Sequence, residues 1–332
     1  MKSTIPILIA SVFLILSACN DSVNKNQAET NNSKPIPQVK VPAFNADSAY
    51  SYVAYQTTLG PRTPGSEAQT NCAKWMLAEL KQFCDTVYEQ KTTVKSGDGK
   101  MLPCINLIGV INPAAPKRIL LLTHWDSRPW ADNDTKDKDK PIIAADDAGS
   151  GVGILIEVAR EIQQQHLSAN TGIDILFTDV EDYGRSEWGE ESYCLGTQYW
   201  AHNPHVAGYK AAYGILLDMV GARNAQFPLE GLSSQFATDI QQKVWQAAGH
   251  AGFSSFFTYT NAASITDDHV PVNRITGIKT IDIINLSTDP DKPFAPHWHT
   301  HADDINIIDK TTLKAVGQTL LQTIYEEDAP VL

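Results

Sequence analysis

Five side chains of metal-ligating type stand out by their place in the chain. They are His124 in Thr-His-Trp-Asp, Asp147 in Ala-Ala-Asp-Asp-Ala-Gly-Ser-Gly, Asp182 in Val-Glu-Asp-Tyr-Gly, Asp218 in Leu-Leu-Asp-Met-Val and His299 in Pro-His-Trp-His-Thr. His124 follows the apolar run Ile119–Leu122, Asp182 follows Ile173–Phe177, and Asp218 follows Tyr213–Leu217. Open α/β sheets carry their sites at the carboxyl ends of strands. Imidazole nitrogens and carboxylate oxygens converging there suit zinc, so a metalloenzyme is expected. Glu181 and Asp182 are neighbours, and their side chains must diverge. One can hold metal while the other faces a substrate with the raised pKa that proton shuttling needs. Asp147 precedes Ala-Gly-Ser-Gly, whose small residues allow close approach of backbone and metal. Asp is also a good helix cap, but the ligand role is favoured.

The elements that would position these residues alternate. Helices are expected at Ala46–Thr57, Glu67–Phe83, Gly151–Gln165, near Leu195–His202, at Gln235–Ala248, and on the stripe Leu313, Val316, Leu320 and Ile324. Strands are expected at Val87–Val94, Ile105–Ile111, Ile119–Thr123, Ile173–Thr178, Tyr213–Leu217 and Lys279–Asn285. The short continuous apolar runs read as strands buried on both faces. The fold class is therefore α/β: one domain with a central, mostly parallel twisted sheet flanked by helices on both faces. The charged stretch Asp132–Lys140 lacks the Gly and distal Glu of an EF-hand loop and reads as a solvated surface loop.

The N-terminus reads as an address. One Lys precedes the apolar run Ile5–Leu16, which is too short to span a membrane. Leu16-Ser-Ala-Cys19 resembles the lipobox of bacterial lipoproteins, so residues 1–18 are expected to be removed and Cys19 lipidated. That implies a bacterial cell-envelope enzyme, periplasmic or outer-membrane facing. Residues 19–41 read as a flexible tether and 42–332 as the catalytic domain. Residues 1–18 hold one Lys and no acid, so the remainder has 25 basic against 38 acidic residues, a net charge of −13. That argues against a nucleic-acid partner and weakly favours substrates with a free amine. Cys72 and Cys84 sit on one expected helix, about 18 Å apart, and are unlikely partners. The sequence leaves pairing among Cys72, Cys84, Cys104 and Cys194 open. None lies in a metal knuckle. A monomer is expected.

The segments 123–126, 144–151, 180–184, 216–219 and 298–300, with Gly-Pro-Arg-Thr-Pro-Gly-Ser at 60–66 and Asn-Leu-Ile-Gly at 106–109, resemble the zinc aminopeptidase superfamily of the M28 type. The resemblance spans about 45–325. Within it, His-Trp-Asp-Ser at 124–127, Trp188, Leu-Asp-Met-Val-Gly-Ala at 217–222, Thr-Asp-Asp-His-Val-Pro at 266–271 and Pro-Phe-Ala-Pro-His-Trp-His-Thr at 293–300 are similar to the glutaminyl cyclase family.

Carried over, this resemblance implies one catalytic zinc held by Asp147, Asp182 and His299. Glu181 would be general base and acid, with Asp218 and Asp267 completing a network of acids. Trp188, Trp298 and Phe294 would line the pocket. Asp182 stands where animal cyclases have Glu, so the metal geometry can shift. The implied reaction closes the N-terminal Gln of a peptide on itself, giving pyroglutamate and ammonia. Asp268 competes with Asp267 for its role, with Asp267 favoured. His269 is either a support to the site or simply packed. Arg128 either closes the pocket mouth or lies on the surface. Trp125, Trp130 and Trp200 read as core or rim. The rival reading is a two-zinc aminopeptidase in which His124 and Asp218 hold a second metal with Asp147 bridging. A third is a non-catalytic surface lipoprotein that binds peptides, against which the intact Glu181 argues.

Overall fold

The computed structural model describes residues 39–289 and 291–330. The expected signal segment, Cys19 and the tether up to Gln38 lie outside them. The described elements are helix α1 (Ala46–Thr58), helix α2 (Glu67–Phe83), strands β1 (Thr86–Lys95), β2 (Met101–Ile111) and β3 (Lys117–His124), helix α3 (Gly149–Gln164), β4 (Thr171–Thr178), helix α4 (Leu195–His202), β5 (Tyr213–Asp218) and β6 (Phe227–Leu229). Helix α5 (Gly231–His250), β7 (Phe257–Asn261), short helix α6 (His269–Pro271), β8 (Thr280–Ile284) and helix α7 (Lys310–Asp328) complete them. Val39 and Val41 pack against the core.

Six strands form one sheet in the order β1-β2-β4-β3-β5-β8. β4, β3, β5 and β8 run parallel, while β1 and β2 extend the sheet antiparallel. β4, β5 and β8 are buried along their whole length and β3 from Ile119 onward, which explains their unbroken apolar runs. Alternation then sorts their side chains into two layers. Ile119, Leu121, Ile173, Ile175, Ile215 and Leu217 join a core with α1, α2, α3, α5 and α7. Leu120, Leu122, Leu176 and Leu216 pack on the other face with Trp200 of α4 and Val272.

Several elements begin earlier than the pattern suggests, most of all α5 at Gly231 and β2 at Met101, four residues each, and α3 at Gly149. Glu230 caps α5 by accepting from the backbone N–H of Leu232 and Ser233, a signal that Ser/Thr/Asp/Asn cap rules overlook. The small parallel pair β6–β7 has strands too short to show a period. Cys72 lies within α2 and Cys84 just past its end; all four described cysteines are free. Among the described residues no helix is long and apolar enough to cross a membrane.

Candidate active site

Parallel pairing puts the carboxyl ends of β3, β4 and β5 along one edge, and the polar residues of the sequence motifs collect there. His124 ends β3 and Asp218 ends β5. Glu181 and Asp182 lie on the loop after β4, and Asp147 just before α3. The backbone at the site is strained: Val180 (φ 55°), Met219 (φ 49°) and His299 (φ 55°) all occupy the left-handed region, which a β-branched valine rarely adopts. Such strain concentrates at functional sites.

Asp147, Asp182 and His299 each offer a ligand atom within 4.8 Å of the others, and so do His124, Asp147 and Asp218. His299 Nε2 is 3.4 Å from Asp182 Oδ1 and 3.8 Å from Asp147 Oδ2. Asp182 Oδ2 is buried with no hydrogen-bond partner among the described residues. Buried carboxylate oxygens are rarely left so, and a carboxylate with a free oxygen, clustered with an imidazole and a second carboxylate, fits a zinc ion. His124 Nε2 is 3.0 Å from Asp147 Oδ1 and 3.3 Å from Asp218 Oδ1, while its Nδ1, 3.4 Å from Asp126 Oδ1, has no hydrogen-bond partner among the described residues.

A set of supporting contacts holds these groups. The Asp126 carboxylate accepts from the N–H of Glu181 and Asp182 at 3.0 and 3.2 Å, fixing that turn. Asp303 does the same for Asp146 and Asp147 at 2.7 and 3.2 Å. Arg128 is 1% exposed, not at the pocket mouth and not on the surface. Its Nη1 donates to Asp182 Oδ1 at 2.7 Å, and its other nitrogens grip Asp132 at 2.8 and 2.7 Å. Asp132 in turn lies 3.4 Å from His299 Nδ1. The first residue of the supposed surface loop therefore supports the site. These roles escaped the sequence reading, though Asp126 and Asp303 follow His124 and His299 by a few residues.

The acid pair diverges as expected, and its environments push it apart. Burial pushes the Glu181 carboxyl well above its usual range, and the charges of Asp267 and Asp182 add to this against His124. Asp182 is buried too, but the charges of His299 and Arg128 outweigh burial and hold it low. Two neighbouring carboxylates so separated suit different tasks, one carrying a proton and one remaining an anion. Glu181 Oε1 accepts from the Cys194 thiol at 3.3 Å and lies close to Asp267. Burial also pushes Asp218 up to about 7. Asp267 faces the cavity, whereas Asp268 turns away to accept from the Thr178 hydroxyl.

Phe294, Trp298 and His299 form a continuous stack, with ring centroids 3.9 and 3.7 Å apart. Phe294 and Trp298 line a cavity of about 60 Å³ against Glu181, Asp218 and Asp267. Trp188 is not in its lining. It packs against Tyr183 and Trp130, and a Cβ on Gly97 would come within 2.6 Å of it. Trp125 and Trp200 are core residues, and Trp130 belongs to the Trp188 cluster. His269 is packed, 3.4 Å from Glu230. The glycines at 151 and 153 lie in the first turns of α3. Cβ atoms on Gly151 and Gly153 would collide with Thr123 and with the Ala49 carbonyl, so these glycines seat α3 on β3 and α1. Asp147 is no cap either, because Ala148 holds that position.

An open α/β sheet with histidine and carboxylates at its carboxyl edge defines a metallopeptidase-like enzyme class. The chain belongs to peptidase family M28, whose family model matches residues 106–324. It is similar to a glutaminyl-peptide cyclotransferase of Gloydius blomhoffii, 26% identical over 80% of this chain and 76% of that one. Among solved structures, a Bacteroides thetaiotaomicron glutaminyl cyclase is 48% identical, covering 86% of this chain and 99% of that one, with a TM-score of 0.83. A Zn-dependent exopeptidase from Parabacteroides distasonis is 47% identical over the same shares, also with a TM-score of 0.83.

Proposed function

We propose that this enzyme cyclises the N-terminal glutamine of peptides and proteins to pyroglutamate and releases ammonia. The observation that carries the reading is the opposed environments of Glu181 and Asp182 at the wall of one small cavity. Asp147, Asp182 and His299 would hold one zinc. Zinc supplies Lewis-acid polarisation of a carbonyl at such a site. The cavity, about 60 Å³, suits a single short side chain packed against Trp298 and Phe294, which orients the reactants and keeps water out. The α-amine nitrogen forms a bond to the side-chain amide carbon, and Glu181 takes its proton. The bond from that carbon to the amide nitrogen then breaks, and Glu181 returns the proton to departing ammonia. Asp218 and Asp267 line the same cavity beside Glu181 and complete its network of acids. Similarity to solved glutaminyl cyclases supports the same reading.

One zinc per chain fits His124 Nε2 lying 3.3 Å from Asp218 Oδ1, while Asp182 Oδ2 has no partner among the described residues. The convergence of His124, Asp147 and Asp218 also favours a second reading, the two-zinc aminopeptidase. Purified protein given a Gln-initiated dipeptide and a Leu-initiated amide separates the two. Loss of 17 Da from the Gln peptide, blocked by chelator, with the amide intact is expected; cleavage of the amide alone would overturn the cyclase. The Leu-Ser-Ala-Cys19 segment supports attachment to the bacterial cell envelope by a lipid on Cys19, with the domain acting as a monomer on N-terminal Gln peptides. Mass analysis of detergent-extracted protein for a lipidated Cys19, and sedimentation of the domain, test both.

A further inference from the structure

Glu181 can move a proton only while one of its carboxylate oxygens points at the reacting amine, and a glutamate side chain has several torsions that can swing it away. Its backbone is pinned. The Glu181 N–H donates to Asp126 Oδ1 at 3.0 Å, and its carbonyl accepts from the Cys194 N–H at 3.0 Å. Leu195 holds the Val180 carbonyl in the same way, also at 3.0 Å. Among the described residues the carboxylate has a single hydrogen bond, from the Cys194 thiol to Oε1 at 3.3 Å. One residue therefore grips Glu181 at both carbonyl and carboxylate.

Cys194 precedes α4 with a left-handed backbone, φ 56° and ψ 30°. Glycine adopts that conformation at the least cost, so the backbone itself gives no reason for a side chain here. The thiol is nonetheless present, buried and aimed at Glu181. Burial and the nearby carboxylates of Glu181 and Asp268 push it well above its usual range, so it keeps its proton and donates. A thiol is a weak donor. It can orient an oxygen while leaving the carboxylate more basic than a strong donor would.

We propose that Cys194 is a positioning residue for the proton transfer: its thiol holds Oε1 of Glu181 so that Oε2 faces the reacting amine. The inference rests on the cyclase reading. The contact is made to the base and not to the substrate, so its loss lowers kcat and kcat/KM together and leaves KM little changed.

The test measures kcat and KM for a Gln-Ala amide with wild type, Cys194→Ala, Cys194→Ser and Cys194→Gly, each with its zinc content and Tm. Ala and Ser are close in size and both smaller than Cys, so they share a packing loss and differ in the donor. Cys194→Ala is expected to lower kcat about tenfold, part of the roughly 10²–10⁴-fold that a placed base contributes. Cys194→Ser should recover most of that loss. Cys194→Gly removes the donor while easing the backbone, so it should lose kcat as Cys194→Ala does even if the latter melts early. Zinc content should match wild type, because Cys194 is not one of the three proposed ligands. A kcat within about twofold of wild type in the Ala and Gly variants, a fall in Ser equal to that in Ala, or a loss carried by KM would each overturn the assignment. If the wild type cyclises no Gln amide while cleaving a Leu-initiated amide, the cyclase reading fails and this inference with it.

Discussion

Replacing Arg128 with Met tests how the site is held together. Arg128 makes two contacts to Asp182, Nη1 to Oδ1 at 2.7 Å and to the carbonyl at 3.1 Å, and two to Asp132 at 2.8 and 2.7 Å. All of this lies in a region where Arg128 is 1% exposed and Asp182 is buried. Removing one partner of a buried ion pair costs about 3–5 kcal/mol, because the other charge stays behind. In a domain of this size that lowers Tm by roughly 10 °C. The stranded Asp182 is also a proposed zinc ligand, and loss of such a supporting contact costs about 10–100-fold in metal affinity. Differential scanning calorimetry and zinc competition against a chromogenic chelator measure the two effects. Arg128→Lys, a point charge that cannot make both forked contacts, should fall between. An R128M protein that melts within about 2 °C of wild type and binds zinc as tightly would refute the assignment of Arg128 as the group that fixes Asp182.

Glu181→Gln should lower turnover of a Gln peptide by about 10²–10⁴-fold while zinc content and peptide binding persist; full activity would remove Glu181 from the reaction. Gly151→Ala places a Cβ 2.2 Å from Thr123 Oγ1 and 3.1 Å from the Leu217 carbonyl, so a loss of about 1–3 kcal/mol is expected, partly relieved by Thr123→Ala in a double-mutant cycle. Burial alone would raise the Glu230 carboxyl, yet the hydrogen bond and charge of His269 and the bonds from Ser233 hold it down, from 4.5 to about 2. A depressed acid stabilises the fold above its unfolded value and loses that contribution as pH falls through its folded one. Glu230→Gln should therefore destabilise at pH 7, with the gap to wild type in urea melts closing as pH falls from 4.5 towards 2. A gap independent of pH would show that His269 does not act on Glu230 through charge.

Local pattern alone determined the α/β class, the buried parallel strands and the set of candidate ligands. An unbroken apolar run such as Ile119–Leu122 can only sit between two layers, and the polar residue that ends it must then lie at the sheet edge. Periodicity reports burial, but it does not say which residue lies opposite. Pattern places Arg128 equally well at the mouth or on the surface; only the fold sets it beside Asp182, 54 residues away. Asp267 and Asp268 are equivalent in a sequence, and only the turn into α6 sends one to the cavity and the other to Thr178. The small residues after Asp147 signal close approach, and the fold shows one approach that a sequence does not name, that of Gly151 to Thr123 on β3. Trp188 carried a motif and still faces Gly97, away from the cavity. Side-chain partners depend on strand order and on backbone turns such as those at Val180 and His299, which arise only when distant segments pack together.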